Sequence, residues 1–207
     1  MHGPPRSHYF DQTPTARHSR RTVALNLPDL HAELITDRGV FSPDRIDPGT
    51  RILLTEGPPL PTGASDLLDI GCGYGPIAVS LARRAPEATI WAVDVNERAL
   101  DLCRENATRL ALPNIRVLPP EEVPSDLRFD AAWSNPPIRI GKSALHDLLL
   151  GWLDRMRPGA QLVMVVHKHL GADSLQRWLT AHEHPTERLT SRGGYRILRT
   201  VVDGDRA

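Results

Sequence analysis

One short segment, Ser134-Asn135-Pro136-Pro137, has residue types that could hold an amino group in place. Each proline fixes φ and lacks an N–H, so we expect the backbone carbonyls here to be rigid and to point outward. The Asn135 side-chain oxygen and the Pro136 carbonyl can then accept both hydrogens of a planar –NH₂ group. Fixed acceptors stabilise positive charge that develops on the nitrogen, which suits group transfer to an amine. The alternative is a turn in which Asn135 caps its own backbone.

A second segment is rich in glycine and joins a predicted buried strand to a predicted helix: Asp69-Ile70-Gly71-Cys72-Gly73-Tyr74-Gly75. Glycines at alternate positions let the backbone turn tightly and approach a ligand closely. The spacing is not Gly-x-Gly-x-x-Gly and no Gly-Lys-Ser/Thr follows, so neither a pyrophosphate cradle nor a P-loop is indicated. The anionic Asp69 ahead of the glycines suits a ligand that carries an amine or another positive charge.

A carboxylate follows the next predicted strand. Asp94 lies 25 residues after Asp69, at a position where both hydroxyls of a ribose can be accepted. The alternative for Asp94 is a cap for the helix that begins near Glu97. With the glycine loop beside it, the pattern predicts a nucleoside-like ligand.

These motifs together resemble the class I S-adenosylmethionine-dependent methyltransferases, through Leu-Asp-Ile-Gly-Cys-Gly-Tyr-Gly followed by Val-Asp-Val-Asn. The resemblance implies S-adenosyl-L-methionine as cofactor, with Asp69 near its methionine amine and Asp94 on its ribose. The adenine contact after the third strand is expected from the backbone or from Glu121. The remaining residues implied to contact the cofactor are Gly71, Cys72, Gly73, Gly75 and Val95.

With such a cofactor, the Asn-Pro-Pro turn suits methyl transfer to an amino group that is conjugated with a ring or a carbonyl. Positive charge leaves the sulfonium sulfur and grows on the attacking nitrogen, and no general base is needed before attack. We therefore predict Asn135 and Pro136 as catalytic. Asn-Pro-Pro is usually followed by Tyr or Phe in amino-directed methyltransferases, whereas this chain has Ile138, which can still pack on a base face.

A narrower resemblance, from about Thr22 to Val201, is to the ribosomal RNA small-subunit guanine-N2 methyltransferases. It is carried by Thr-Asp-Arg-Gly-Val-Phe-Ser and Asp-Pro-Gly-Thr ahead of the glycine loop, then by Ser-Asn-Pro-Pro-Ile-Arg, Arg-Pro-Gly and Gly-Tyr-Arg-Ile-Leu. It implies that the loop 39–42 helps to close the pocket, that the substrate is guanine in rRNA, and that rRNA or a ribosomal subunit is the partner. The predicted substrate-binding residues are Phe41, Pro137, Ile138 and Arg139.

Two other functions stay open at this point. The same acceptors could hold a glutamine side-chain amide of a protein, and the chain could also bind the cofactor without turnover, as an RNA-binding or assembly module. Arg38, Arg139 and Lys142 could meet a phosphate backbone or could be solvated surface cations.

The elements that must position these residues alternate between strand and helix from residue 65 to residue 182. This predicts a doubly wound, mostly parallel seven-stranded Rossmann-like sheet with an antiparallel C-terminal hairpin strand. We predict three parts: a mobile tail over 1–19, a small β annex with a pocket-closing loop over 20–64, and the cofactor-binding domain over 65–203. One helix is expected to have Ser143 as its N-cap, to reach Met156 and to be stopped by Arg157-Pro158-Gly159.

Composition narrows the classes of partner. The chain has 207 residues, with 25 Lys and Arg against 25 Asp and Glu, so a partner held by bulk electrostatics is disfavoured. Two cysteines make neither a disulfide framework nor a zinc site. No apolar run approaches about 18 residues, which argues against a membrane span. We therefore expect a cytoplasmic, metal-free, monomeric protein.

Overall fold

The computed structural model describes residues 18–204. Most of the predicted tail thus lies outside the described residues; its last two residues, His18 and Ser19, hydrogen-bond to the Asp37 carboxylate. The strands are β1 Arg21–Asn26, β2 His31–Thr36, β3 Asp66–Ile70, β4 Thr89–Val93, β5 Ile115–Leu118, β6 Phe129–Ser134, β7 Met156–His167, β8 Thr186–Arg192 and β9 Tyr195–Val201. The α-helices are α1 Pro48–Glu56, α2 Pro76–Arg84, α3 Glu97–Arg109, α4 Lys142–Leu153 and α5 Ala172–Ala181.

Seven strands form one sheet in the order β5-β4-β3-β6-β7-β9-β8, and β1 pairs with β2 in a separate hairpin. The strands β3 to β7 are parallel, whereas β9 runs antiparallel to β7 and to β8. The predicted fold class is therefore confirmed. Because the carboxyl ends of parallel strands meet at one edge, the loops after β3, β4 and β6 lie side by side.

Side chains alternate between the two faces of the sheet, and each face has its own hydrophobic cluster. On β3, Leu67 packs with α2 and α3 in the first cluster, whereas Leu68 packs with α4 and α5 in the second. Leu25 and Leu34 of the hairpin belong to the first cluster. The annex is thus packed onto the same core that supports the glycine loop.

The structure corrects the predicted helix after the Asn-Pro-Pro turn. Gly141, not Ser143, is the N-cap of α4, and the helix ends at Leu153. Met156 begins β7 instead of ending the helix, because it is buried and pairs with Phe129 of β6. The ladder to β6 then shifts register and resumes at Gln161, so the intervening Pro158 needs no N–H for it.

None of the helices described within residues 18–204 is long and apolar enough to cross a lipid bilayer.

Candidate active site

A cleft opens at the carboxyl ends of β3, β4 and β6. It encloses about 710 Å³, mouth included, and its walls are mainly apolar. Eight of the predicted site residues line it: Phe41, Gly71, Gly73, Asp94, Val95, Asn135, Pro136 and Pro137. The glycine loop and the Asn-Pro-Pro turn therefore face the same space, with no wall between them.

The glycine loop is tied to the end of the neighbouring strand. The N–H groups of Gly71 and Cys72 both donate to the Val93 carbonyl, each at 2.9 Å. Gly73 has φ +56°, and a Cβ there would meet nothing within 4 Å, so its backbone is open to a ligand. Gly75 has φ +94°, and a Cβ there would lie 2.8 Å from the Cys103 Sγ. The two glycines thus serve ligand access and packing respectively.

Asp94 lines the cleft beside the glycine loop, in the part where the cofactor is predicted to bind (the cofactor side). Its carboxylate accepts from the Gly73 N–H and from the Asn96 N–H, both at 2.9 Å. Burial raises its pKa, although these hydrogen bonds lower it. The cap of α3 is Asn96, which accepts from the Ala99 N–H at 3.2 Å, so the alternative role of Asp94 as the helix cap is wrong. Each oxygen of Asp94 keeps lone-pair capacity to accept from a ligand in the cleft.

Asp69 is completely buried and does not line the cleft. One carboxylate oxygen accepts from the Ala78 N–H at 2.9 Å, in the first turn of α2, and the other has no partner among the described residues. Burial raises the pKa of Asp69 well above its usual value, and repulsion from Asp94 adds to this. The carboxylate supports the start of α2; its contact with a ligand amine stays a prediction.

Asn135 is held by the helix α1, which lies far away in the sequence. Its Nδ2 donates to the Asp47 Oδ1 at 2.8 Å and to the Thr50 Oγ1 at 2.9 Å. Because a carboxylate can only accept, the –NH₂ end of the amide must face Asp47. The side-chain oxygen is then left to accept from a ligand. The alternative in which Asn135 caps its own backbone is wrong.

The Pro136 carbonyl is less free than predicted. It accepts from the Ile138 N–H at 2.8 Å, and the Pro137 carbonyl accepts from the Ile140 N–H at 3.0 Å. Pro137 has φ −75° and ψ 68°, an inverse γ-turn geometry, so the chain doubles back at once. One lone pair of the Pro136 oxygen remains available, because a carbonyl oxygen has two.

Besides Asp69, three of the predicted cofactor residues lie off the cleft wall. The Cys72 side chain is buried in the first core cluster, and Gly75 packs against Cys103. Glu121 is exposed in a short 3₁₀ turn, and its neighbour Pro120 lines the cleft instead. The Cys72 side chain points into the core and the Glu121 side chain to solvent, and contacts of these two residues with the cofactor stay a prediction.

On the substrate side, Ile138 and Arg139 also lie off the cleft wall. Ile138 packs against the second core cluster, and Arg139 is exposed. Phe41 lies at the cleft and is 38% exposed. Its loop is held in place by Asn96, whose Nδ2 donates to the Gly39 carbonyl at 2.8 Å, and by Tyr74.

Several residues of the site escaped the sequence analysis. Asp47 and Thr50 carry no signal of their contact with Asn135, although their run is one of the motifs of the resemblance. Leu148 and Trp152 line the cleft from α4. Their spacing of four residues marks the apolar face of that helix, and the face packs on the core as well as on the cleft.

Within residues 18–204, no group of three or more His, Cys, Asp and Glu side chains is placed to hold a metal ion.

Comparison with known proteins identifies related sequences. The family model of the methyltransferase small domain matches residues 31–199. An uncharacterised Bacillus subtilis protein, YbxB, is 32% identical over 197 residues, which cover 93% of this chain and 96% of that protein. The ribosomal RNA small subunit methyltransferase C of Pectobacterium atrosepticum is 32% identical over 195 residues, 88% of this chain and 54% of that protein. The chain thus spans about half the length of the curated methyltransferase C relatives.

Two solved structures share the fold. A T. thermophilus 16S rRNA N2 methyltransferase, in complex with AdoMet and guanosine, superposes with a TM-score of 0.74 at 22% identity; 91% of this chain and 52% of that one are covered. A Pyrococcus furiosus methyltransferase gives a TM-score of 0.61 at 19% identity, over 74% of this chain and 82% of that one.

Proposed function

The chain belongs to the methyltransferase small-domain family and is an S-adenosylmethionine-dependent enzyme, and we propose that it methylates the exocyclic N2 amino group of guanine in ribosomal RNA. The observation that carries the proposal is the Asn135 amide. Its –NH₂ group is engaged by α1, so its oxygen is the end that can accept from an amine in the cleft.

The cofactor side of the cleft fits S-adenosylmethionine. Gly73 leaves open space where a side chain would stand, and Asp94 offers a carboxylate inside a largely apolar cleft. The backbone at Gly71 and Gly73 would hold the methionine part, Asp94 the ribose hydroxyls, and Val95 and Pro120 the adenine face. When bound, the cofactor supplies an electrophilic methyl group on a positively charged sulfur.

The acceptor side fits a flat, neutral amine. The Asn135 oxygen and the free lone pair of the Pro136 carbonyl can accept the two hydrogens of the –NH₂ group. Because positive charge grows on the nitrogen during transfer, these acceptors bind the transition state better than the neutral amine. Pro137, Leu148 and Trp152 line the same cleft with apolar surface, which excludes water.

Relatives support guanine in rRNA as the substrate. Proteins named ribosomal RNA small subunit methyltransferase C are 29–32% identical to this chain over 70–89% of its length. The T. thermophilus structure with the same fold holds guanosine. Exposed cations at Arg38, Arg139 and Lys142 would meet the RNA backbone around the target base.

The test is methyl transfer from tritiated S-adenosylmethionine to small ribosomal subunits from a strain that lacks the gene, followed by nucleoside analysis. We expect label in N2-methylguanosine. Subunits from the parent strain, which already carry the modification, are the matched control and should take up little label.

Label in a protein fraction as N5-methylglutamine would overturn the proposed substrate and support the glutamine alternative. Normal cofactor binding without label in any RNA or protein fraction would support a module that binds the cofactor without turnover.

A further inference from the structure

The Asn135 amide is oriented by two residues that lie 85 and 88 positions away in the sequence. We propose that Asp47 and Thr50 are positioning residues for methyl transfer: they fix the Asn135 oxygen toward the cleft, and the Asp47 charge makes that oxygen a stronger acceptor. The inference rests on one part of the proposed function, methyl transfer to an amine. It does not depend on which amine is methylated.

The geometry accounts for both hydrogens of the Asn135 amide. One is donated to the Asp47 Oδ1 at 2.8 Å and the other to the Thr50 Oγ1 at 2.9 Å. Flipping the amide would place its oxygen against a carboxylate, which has no hydrogen to donate. The Asn135 amide is therefore held in one of its two orientations, with its –NH₂ group toward Asp47 and Thr50 and its oxygen on the opposite side.

The two partners are themselves fixed. Asp47 is the N-cap of α1 and accepts from the Thr50 N–H at 3.1 Å, and Thr50 is only 3% exposed. A Cβ on Gly49 would lie 2.9 Å from the Asp47 Oδ1 and 2.7 Å from the Tyr195 ring, so both the carboxylate and the ring pack closely against this glycine. On the far side, the Ser134 Oγ donates to the Ile70 carbonyl at 2.7 Å. Both ends of the network are thus rigid.

The negative charge of Asp47 strengthens the Asn135 oxygen as a hydrogen-bond acceptor. No Lys, Arg or His side chain forms an ion pair with Asp47 within residues 18–204, although Arg45 lies near enough to act on the same Tyr195 hydroxyl as Asp47. A carboxylate that accepts from the amide –NH₂ polarises the amide and makes its oxygen more negative. That oxygen gains most when the methylated nitrogen becomes positive, so the effect appears in turnover more than in binding.

Two substitutions test the proposal. Asp47→Asn keeps a good helix cap and removes the charge, and Thr50→Val keeps the shape and removes the second acceptor. In single-turnover assays at saturating donor and acceptor, we expect Asp47→Asn to lower the rate constant about 10- to 100-fold, with donor Kd within about two-fold. Thr50→Val should lower it about 3- to 10-fold, and Thr50→Ser should restore most of it.

The matched control is Thr55→Val on the same helix. The Thr55 hydroxyl donates to the Arg51 carbonyl on the exposed side of α1 and does not reach Asn135. We expect wild-type transfer and wild-type thermal unfolding for this variant.

A second measurement does not need activity. The chain has five asparagines, so the Asn135 side-chain –NH₂ signals of ¹⁵N-labelled protein can be assigned by their loss in Asn135→Ala. In the wild type we expect these two protons to exchange slowly with solvent. In Thr50→Val, the proton that loses its acceptor should exchange about ten-fold or more faster.

Wild-type transfer by Asp47→Asn, or Asn135 protons that exchange equally fast in the wild type and in Thr50→Val, would overturn the inference. If Asp47→Asn fails to fold, Thr50→Val and Thr50→Ser decide. If the wild type methylates an acceptor other than rRNA, the proposed substrate fails while the same rate comparison on that acceptor still applies. If it methylates nothing, the proposed function fails and the exchange measurement alone decides the positioning of Asn135.

Discussion

The two sides of the cleft are built in different ways. The cofactor side comes mainly from one stretch, residues 69–99, with Pro120 added from the turn after β5. Its contacts involve mainly backbone groups: Gly71 and Cys72 on Val93, and Gly73 on Asp94. The acceptor side joins Asn135 to Asp47 and Thr50 through side chains. A local glycine motif can thus be read directly from a sequence, whereas the orientation of the acceptor depends on contacts between distant segments.

The difference follows from what each side must do. A nucleoside with several hydroxyls can be held by a carboxylate and by exposed backbone. An amine that becomes positive requires one oxygen at one position, and a freely rotating amide does not guarantee that position. Four predictions, from the largest expected effect to the smallest, test whether the two sides are separable.

The acceptor side should control turnover. We expect Asn135→Ala to lower kcat about 10²- to 10³-fold, because it removes a fixed acceptor for developing charge. Donor Kd, measured by calorimetry, should stay within about two-fold. A comparable loss in kcat and in donor affinity would contradict the division between the two sides.

The cofactor side should control donor binding. We expect Asp94→Ala to raise the Kd for the donor about 10- to 100-fold, because a hydrogen-bonded carboxylate is lost. The rate at saturating donor should fall much less. Asp101→Ala, at an exposed position on α3, is the matched control. Unchanged donor affinity in Asp94→Ala would remove Asp94 from the cofactor side.

Substitutions of Gly73 and Gly75, in the same loop, should have different effects, because Gly73 is open to the ligand and Gly75 packs on Cys103. Both have positive φ, so alanine costs about 1–2 kcal/mol of unfolding free energy at either position. Gly75→Ala should cost about 1–3 kcal/mol more, because its Cβ would press on Cys103. Gly73→Ala should instead weaken donor binding, because its Cβ would enter the cleft. Urea unfolding and donor titration of both variants measure this, and equal stability would show that Gly75 has room.

Substitution of Asp69 should have the smallest effect of the four, since its carboxylate is buried beside the cofactor side without lining the cleft. Its raised pKa means that the folded state binds the proton more tightly than the unfolded state. Its contribution to the unfolding free energy is therefore greatest below pH 3.8, the usual pKa, and is lost as the pH rises through the raised pKa. We expect the wild type to lose stability relative to Asp69→Asn over that range.

Donor Kd serves as the second readout for Asp69→Asn. An increase as large as that for Asp94→Ala would place the Asp69 carboxylate in direct contact with the ligand, whereas a change below about three-fold would assign it to the support of α2.

Much of the fold could be predicted because its signals are local. The parallel order of β3 to β7 and the antiparallel C-terminal strands are both present, as the alternation of strand and helix predicts. The end of α4 was mispredicted because Met156 continues the apolar spacing of the helix, while its pairing with Phe129 is a contact between segments. Contacts between distant segments also place Ile138 and Glu121, whose residue types suit a ligand. Ile138 packs on the second core cluster, and Glu121 is exposed to solvent.

Residue type and short spacing are enough to predict the sheet, the glycine loop and the position of Asp94. Tertiary structure decided which end of the Asn135 amide faces the cleft, how free the Pro136 carbonyl is, and that Asp69 supports a helix. These depend on which groups meet across the fold, and a hydrogen bond between residues 47 and 135 leaves no periodic trace in the chain.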